Sequence, residues 1–409
     1  MNSATPTDPG ATPARAILLL ALASFVGAAN LRVCDALLPQ IAAELGVSVG
    51  AGALMVTAFA VAYGLCQIVV GPLGDARGKL LMVVLGSLWA GVATIVCAAM
   101  PSLAPLVLFR FLAGAGAAAV IPLAIAWIGD VVAYERRQAL LARYISGQIL
   151  GIVFGQAAGG FFGELIGWRA TLLMLGIAHI GAGLLLLKER RRLSIGVPLP
   201  GKPRWANAAL QTYRVLRQPW VRVVLVSVFI EGMAMFGALA YIGADLHDRF
   251  GLGLGMVGAL LASFGAGALV FAASASWLVP KLGQPGLAAA GALLLAAGYG
   301  GLVVMPWLWL AVPAIASIGL GFYMLHNTLQ VNATQMAPEA RGLAVSLFAF
   351  FLFTGQSLGV ALGAPVVDRF GARPVFATAA VVLVLVAFWF RARLIKETAR
   401  IDVSGRRMR

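Results

Sequence analysis

The chain consists mostly of long apolar stretches separated by short segments rich in Gly, Pro and charged residues. A helix needs about 20 apolar residues to cross the hydrocarbon core of a bilayer, and each stretch has roughly that length. The pattern therefore predicts membrane-spanning helices, numbered here as spans 1 to 12, over residues 16–38, 51–71, 80–100, 104–127, 139–162, 170–187, 219–243, 255–277, 286–304, 308–330, 342–365 and 374–390.

The second half of the chain repeats the first at an offset of 204 residues. The offset takes Glu135 to Glu339, Arg137 to Arg341, Gly151 to Gly355, Gly155 to Gly359, Gly159 to Gly363, Glu164 to Asp368, Gly167 to Gly371 and Arg169 to Arg373. Chance does not explain these matches, because several involve charges in a chain that is only 11% charged. Six spans per half bring both halves into the membrane from the same side. The sequence thus predicts an all-α membrane protein of two pseudo-symmetric six-helix bundles, with any substrate site between them.

Charged segments set the predicted organisation. It comprises an N-terminal tail at 1–15, a first bundle at 16–187, a basic linker at 188–218, a second bundle at 219–390 and a basic tail at 391–409. The linker is broken by Pro198, Pro200 and Pro203. The other loops are short and leave no room for a soluble domain.

Most of the basic residues lie on one side of the predicted bundle. Of the 30 Lys and Arg residues, 22 fall in segments on the side of the N-terminus and four on the opposite side. This positive-inside bias predicts that both termini are cytoplasmic. The net charge of +15 therefore indicates topology and contact with anionic lipid rather than nucleic-acid binding. We expect a multi-pass protein of a cell membrane, and the short loops suit a bacterial inner membrane.

Cysteine and histidine usage argues against a cofactor or a catalytic centre. Cys34, Cys66 and Cys97 all fall in predicted spans and form no framework of disulfides or metal ligands. The three histidines are scattered, so they supply neither a metal cluster nor a Ser/His/Asp set. We expect no cofactor, no metal and no enzymatic activity, and nothing in the sequence demands more than a monomer.

The segment between spans 2 and 3 contains glycines, one acid and two bases, and residues 71–79 read GPLGDARGK. It resembles the G-x-x-x-D-x-x-G-R-K loop of the major facilitator superfamily, with Ala76 in place of the base that usually follows the Asp. By this resemblance, Gly71, Asp75, Arg77, Gly78 and Lys79 form a loop that latches the two halves in one conformation. Asp130, at the end of span 4, is the expected partner of its bases.

Two further segments resemble motifs of the same family. Residues 110–118, RFLAGAGAA, are similar to its R-x-x-x-G-x-G-x-A pattern in span 4.

Residues 151–160, GIVFGQAAGG, resemble the antiporter motif G-x-x-x-G-P-x-x-G-G of span 5, with Gln156 in place of the proline. The four-residue spacing puts Gly151, Gly155 and Gly159 on one helix face, where small residues allow close packing; Gly355, Gly359 and Gly363 repeat it in span 11. The resemblance covers about residues 16–392 and implies the twelve-helix drug:proton antiporter branch.

Asp35, Arg32 and Arg110 are charges inside predicted spans 1 and 4. Ionisable residues within a membrane are costly, face a partner or a cavity, and commonly mark ion pathways. Asp35 and Arg110 lie at similar depth, which predicts that they pair, while Arg32 is three residues from Asp35 on nearly the same face. The alternative is that Arg32 and Asp35 neutralise each other and only hold the fold.

Glu231 lies near the middle of span 7 without a basic neighbour in the sequence. Such surroundings disfavour the charged form of a carboxyl group, and a group that changes protonation at mid-membrane suits proton coupling or a cationic substrate. The alternative is a neutral Glu231 that only forms hydrogen bonds between helices.

Polar side chains on other spans are candidates for a substrate cavity. In the resembled fold, spans 1, 4, 7 and 10 line the cavity, with spans 2, 5, 8 and 11 beside them. The candidates are Asn30, Tyr144, Gln148, His326, Asn327 and Gln356.

The resemblance implies a secondary transporter in which two bundles rock about a central cavity. We expect proton-coupled efflux of small hydrophobic or amphipathic molecules, because polar groups are sparse among the Ala, Gly, Met and Phe of the spans. The main alternative is a proton-coupled or facilitative carrier of a metabolite such as an organic anion or a sugar, with Arg32 and Arg110 binding the anion. A sensor that does not transport is another possibility, and a channel is disfavoured because no filter loop is repeated.

Overall fold

The computed structural model describes residues 14–132, 134–193 and 205–407, and within them the chain is all helical. Most of the predicted N-terminal tail, the middle of the linker and the last two residues lie outside these ranges. The spans are helices Ala14–Glu44, Val49–Arg77, Lys79–Ala98, Leu103–Val131, Tyr134–Arg192, Pro219–Phe250, Leu254–Val304, Leu308–Gln335, Arg341–Phe370 and Arg373–Arg407, and the linker contains helix Trp205–Leu216.

Two of these helices each contain two spans. Tyr134–Arg192 is interrupted at Gly167, where φ is 84°, and Leu254–Val304 at Gly283, where φ is 62°. Positive φ is accessible to glycine because it lacks a Cβ atom, so each glycine turns the chain back at a predicted loop. Spans 5 and 6 lie on either side of Gly167, and spans 8 and 9 on either side of Gly283. The predicted fold class, an all-α membrane protein with twelve spans, is confirmed.

The glycine rows of spans 5 and 11 lie where helix backbones meet. Each row packs against the first span of its own half. In the first half, Gly151 faces the backbone of Phe25, Gly155 that of Ala29, and Gly159 that of Val33. In the second half, Gly355 faces the backbone of Phe229, and Gly359 that of Met233. Gly363 differs, because it faces the ring of Tyr241. A Cβ atom at Gly155 would lie 2.5 Å from the carbonyl oxygen of Ala29, which leaves no room for any larger residue.

The two halves meet towards one end of the bundle. We call the end where span 1 begins and span 12 finishes the terminal end, and the opposite end the distal end. Contacts between halves run from the distal loops to mid-span, where Tyr63 and Phe353 have ring centroids 4.5 Å apart and Val153 packs against Gly265. Nearer the terminal end, a Cβ atom at Gly71 would have nothing within 4 Å. The contacts between halves that the described residues make therefore lie between mid-span and the distal end.

Candidate functional site

A buried ion pair lies at the junction of the two halves. Arg32 Nη1 is 3.6 Å from Asp35 Oδ2, and their side chains are 3% and 0% exposed. The guanidinium carbon of Arg32 also lies 4.1 Å from the ring centroid of Phe236 on span 7. One charge pair of the first half therefore rests on an aromatic face of the second half, so a change in the relative position of the halves must alter its surroundings.

This pair is short of hydrogen bonds. Among the described residues, neither carboxylate oxygen of Asp35 and neither amide atom of the buried Gln156 has a hydrogen-bond partner, and Arg32 Nη1 has none. Buried polar atoms are nearly always paired, so an unpaired cluster calls for an explanation such as a functional role. Such a cluster has hydrogen-bonding capacity that a proton or a ligand could satisfy.

Arg110 binds Asn30 rather than Asp35. Its Nη1 donates to Asn30 Oδ1 at 2.8 Å, its Nη2 donates to the Asn30 carbonyl at 3.3 Å, and Asn30 Nδ2 donates to Thr94 Oγ1 at 2.8 Å. The guanidinium carbon lies 4.3 Å from the ring centroid of Phe59. The expected pairing of Arg110 with Asp35 is wrong here because Asn30 and Asp35, five residues apart, point about 140° apart around the helix.

Glu231 and His326 form a second titratable pair, in which the carboxyl group is buried and the imidazole is partly exposed. His326 Nδ1 lies 2.8 Å from Glu231 Oε2, which joins span 7 to span 10. The Glu231 side chain is 0% exposed and that of His326 13% exposed, and Glu231 Oε1 has no hydrogen-bond partner among the described residues. The imidazole stacks on Phe322, with ring centroids 4.7 Å apart, and lies 5.3 Å from Phe348. The buried carboxyl group thus contacts an imidazole that is itself partly exposed and packed between aromatic rings.

The other predicted cavity residues have different surroundings. Tyr144 is buried and hydrogen-bonded to Ser24 and to the Ile121 carbonyl, so it belongs to the core of the first bundle. Gln356 is buried with its amide atoms unpaired among the described residues. Gln148 and Asn327 are half-buried. The latter two retain surface that a ligand could reach, whereas Tyr144 does not.

The loop between spans 2 and 3 forms an ion cluster within the first half. Lys79 Nζ lies 2.6 Å from Asp130 Oδ2 and 3.5 Å from Asp75 Oδ1. Gly78 adopts a φ of 96° at the turn. Arg77 is exposed and forms no ion pair within the described part of the chain. These residues border a cavity of about 250 Å³ that Trp127 and Arg190 also line.

Three neighbours of the charges were missed by the sequence reasoning. Thr94 orients Asn30, and the rings of Phe59 and Phe236 cover the two arginines. Thr94 is a polar residue within an apolar span, which gave a usable signal. The phenylalanines gave none, because aromatic residues are common in every span.

The chain matches a known protein family along most of its length. The family model described as Major Facilitator Superfamily matches residues 20–360. A multidrug efflux protein, YfmO of Bacillus subtilis, is 25% identical over 90% of this chain and 90% of its own length. A chloramphenicol resistance protein of Streptomyces lividans is 28% identical over 87% of this chain and 91% of its own.

Solved structures share the fold. A bacterial homologue of the human lysosomal transporter Spinster, in an inward-facing and unoccupied conformation, superposes with a TM-score of 0.74 over 94% of this chain and 97% of that one, at 18% identity. The nucleoside transporter NupG gives a TM-score of 0.75 over 92% and 99%, at 12% identity. At these identities the likeness concerns the fold alone.

Proposed function

Because the chain belongs to the Major Facilitator Superfamily, we propose that this multi-pass membrane transporter is a proton-coupled efflux carrier of small hydrophobic or amphipathic molecules. The observation that carries the proposal is the Glu231–His326 pair, in which a buried carboxyl group contacts a partly exposed imidazole. The relatives named for multidrug efflux and for chloramphenicol resistance support the substrate class.

The positive-inside bias supports cytoplasmic termini, so the terminal end would face the cytoplasm. The described conformation would then be open to the cytoplasm and closed to the outside. We propose that the two bundles alternate between this state and its opposite, in a cell membrane and as a monomer, with protons and one small-molecule substrate as the exchanged species.

Proton coupling follows from the geometry at span 7. In the outward-open state a proton from outside would reach Glu231 and neutralise it. In the cytoplasm-open state a substrate that packs on Phe322 and Phe348 would displace the imidazole, and the proton would leave through His326 to the cytoplasm. Histidine suits this transfer because its ordinary titration lies near neutral pH.

Asp35 is the second proposed coupling group. It lies where Arg32 rests on Phe236 of the other half, so movement of the halves would change the balance between its charged and neutral forms. Arg110 would act indirectly, because it binds Asn30 and so fixes the middle of span 1 against span 4.

The test uses purified protein in liposomes that contain a pH-sensitive dye. Lipophilic cations, neutral drugs and organic anions are added under an imposed proton gradient, and labelled-substrate exchange is measured in parallel. We expect proton movement with lipophilic compounds in the native protein. Glu231→Gln keeps the size and a hydrogen bond to His326 but cannot lose a proton, so it should abolish proton movement while exchange continues.

Asp248→Asn is the matched control, because Asp248 is an exposed acid on the same span and should leave proton movement unchanged. The role of Asp35 is tested with the double variant Arg32→Gln/Asp35→Asn, because removing Asp35 alone would leave the Arg32 charge buried without a partner.

Proton movement that survives Glu231→Gln would contradict the coupling role of Glu231. Exchange without any proton movement in the native protein would make the protein a uniporter.

A second candidate function is transport of an organic anion. It is favoured by the buried Arg32, whose Nη1 has no hydrogen-bond partner among the described residues. In the same assay, proton movement evoked only by the organic anions, and lost in Arg32→Gln/Asp35→Asn, would support this candidate over drug efflux.

A further inference from the structure

Glu164 and Asp368 are a repeated pair of acids that lie outside the proposed coupling groups. They are related by the 204-residue offset and lie near the distal ends of spans 5 and 11. One belongs to each half of the molecule.

Both carboxylates cross to the opposite half and bind the start of a helix there. Glu164 Oε2 accepts a hydrogen bond from the backbone N–H of Gly255, on span 8, at 2.5 Å. Asp368 Oδ1 accepts one from the N–H of Gly50, on span 2, at 2.8 Å, and its Oδ2 accepts one from Ser48 Oγ at 2.7 Å. Gly50 and Gly255 are each the second residue of their helix, so the two carboxylates bind corresponding positions, and Asp368 adds a bond to Ser48.

The start of a helix suits a carboxylate for two physical reasons. Its first N–H groups have no partner within the helix, and the helix dipole leaves partial positive charge there. Glycine allows the close approach. A Cβ atom would lie 2.9 Å from Glu164 Oε2 at Gly255 and 2.5 Å from Asp368 Oδ2 at Gly50.

Other acids at the distal end act within one half. Glu44 pairs with Arg169 and Asp245 with Arg249, each inside its own bundle. These pairs can persist whatever the arrangement of the halves. The bonds of Glu164 and Asp368 cannot, because opening of the distal end would separate span 5 from span 8 and span 11 from span 2.

We propose that Glu164 and Asp368 form a symmetric distal latch, which holds the distal end closed in this conformation and releases when that end opens. The latch depends on the movement of the two halves and not on proton coupling, so an experiment that contradicts proton coupling would leave the latch proposal unaffected. Its two arms are reciprocal: each half supplies one carboxylate and one glycine-containing helix start.

The test measures distances between spin labels at Ser102→Cys and Trp307→Cys, which lie in exposed distal loops of the two halves. A second label pair at Leu185→Cys and Ala392→Cys reports on the terminal end. The three native cysteines are replaced, and the full chain is measured in lipid nanodiscs. Glu164→Ala/Asp368→Ala should increase the ratio of distally open to closed molecules about 3- to 30-fold, the range for two charges at helix starts.

Gly255→Ala provides an independent route, because the added methyl group would lie 2.9 Å from Glu164 Oε2 and push that carboxylate away while both charges remain. It should shift the distal distances in the same direction. Asp248→Ala removes a distal charge that makes no hydrogen bond to the other half among the described residues, and should not shift them. Unchanged distances in both Glu164→Ala/Asp368→Ala and Gly255→Ala, with native size-exclusion profiles, would overturn the latch. An equal shift in Asp248→Ala would show a general charge effect instead.

Discussion

Spans 5 and 11 occupy equivalent places in the two halves, and each presents a row of glycines to the first span of its own half. The buried charges show no such equivalence. The 204-residue offset takes Arg32 to Phe236, Asp35 to Leu239 and Arg110 to Ala314. The repeat thus preserves the contacts that build a bundle, whereas each half has its own ionisable groups.

The glycine rows therefore build the two bundles, whereas we assign the buried charges to transport. Close backbone packing is needed wherever two helices must meet, so both halves keep it. Buried charge is costly within a membrane, and a transporter needs it only where a proton or a ligand is bound. The first half pairs the Asp35 carboxyl group with a guanidinium, whose charge is permanent, whereas the second half pairs the Glu231 carboxyl group with an imidazole.

The largest expected effect comes from removing Asp35 from its ion pair with Arg32. Asp35→Asn leaves the Arg32 charge buried without its partner, which should cost about 3–5 kcal/mol of folding free energy. Glu231→Gln should cost much less, because the amide can still hydrogen-bond to the His326 imidazole and no guanidinium charge loses its partner. Unfolding of each variant in mixed micelles measures the difference.

The rescue variant for this prediction is Arg32→Met/Asp35→Leu, which removes both charges and should recover most of the lost stability. Equal destabilisation by Asp35→Asn and Glu231→Gln would show that the two buried pairs do not differ in the way described.

An intermediate loss of stability is expected from substitutions in the glycine rows, which the two halves share. Gly155→Ala and Gly359→Ala each place a methyl group against the backbone of the neighbouring span, which should cost about 1–3 kcal/mol. Thermal unfolding in detergent should show similar losses in the two halves.

The matched controls are Gly181→Ala and Gly300→Ala, since a Cβ atom at either position would have nothing within 4 Å. Alanine is a better helix former than glycine, so these variants should be as stable as the native protein or slightly more so. A loss at only one of Gly155 and Gly359 would mean that the repeated rows are not equivalent.

The smallest effect on stability is expected at the terminal end. Lys79→Met removes the centre of the Asp75–Lys79–Asp130 cluster, and exposed ion pairs contribute about 1 kcal/mol or less. The offset takes Asp75, Lys79 and Asp130 to Val279, Gly283 and Thr334, so the second half has no counterpart.

Lys79→Met should therefore slow substrate exchange in liposomes while the melting temperature changes little. Lys281→Met is the control in the second half, where Lys281 lies 4.5 Å from the ring centroid of Trp277, and exchange should be unaffected. A large loss of stability in Lys79→Met would assign the cluster to the scaffold and not to the conformational cycle.

Much of this molecule could be predicted from local pattern. Span length, the repeat and the glycine spacing each reflect a requirement met within one helix or between neighbouring helices. The charges in the spans were also visible, because any ionisable residue in an apolar stretch is conspicuous. Their partners were not: Asp35 and Asn30 are equally plausible acceptors for Arg110 until the rotation of span 1 relative to span 4 is known.

The sequence by itself determined the all-helical membrane fold, its two-fold repeat and the identity of the ionisable groups, since these follow from hydropathy and composition along the chain. The tertiary structure alone decided that Arg110 binds Asn30, that Glu231 meets His326, and that Glu164 and Asp368 each bind a helix start in the opposite half. The physical reason is that such contacts depend on the rotation and depth of separate helices, and these are fixed by packing across the whole bundle.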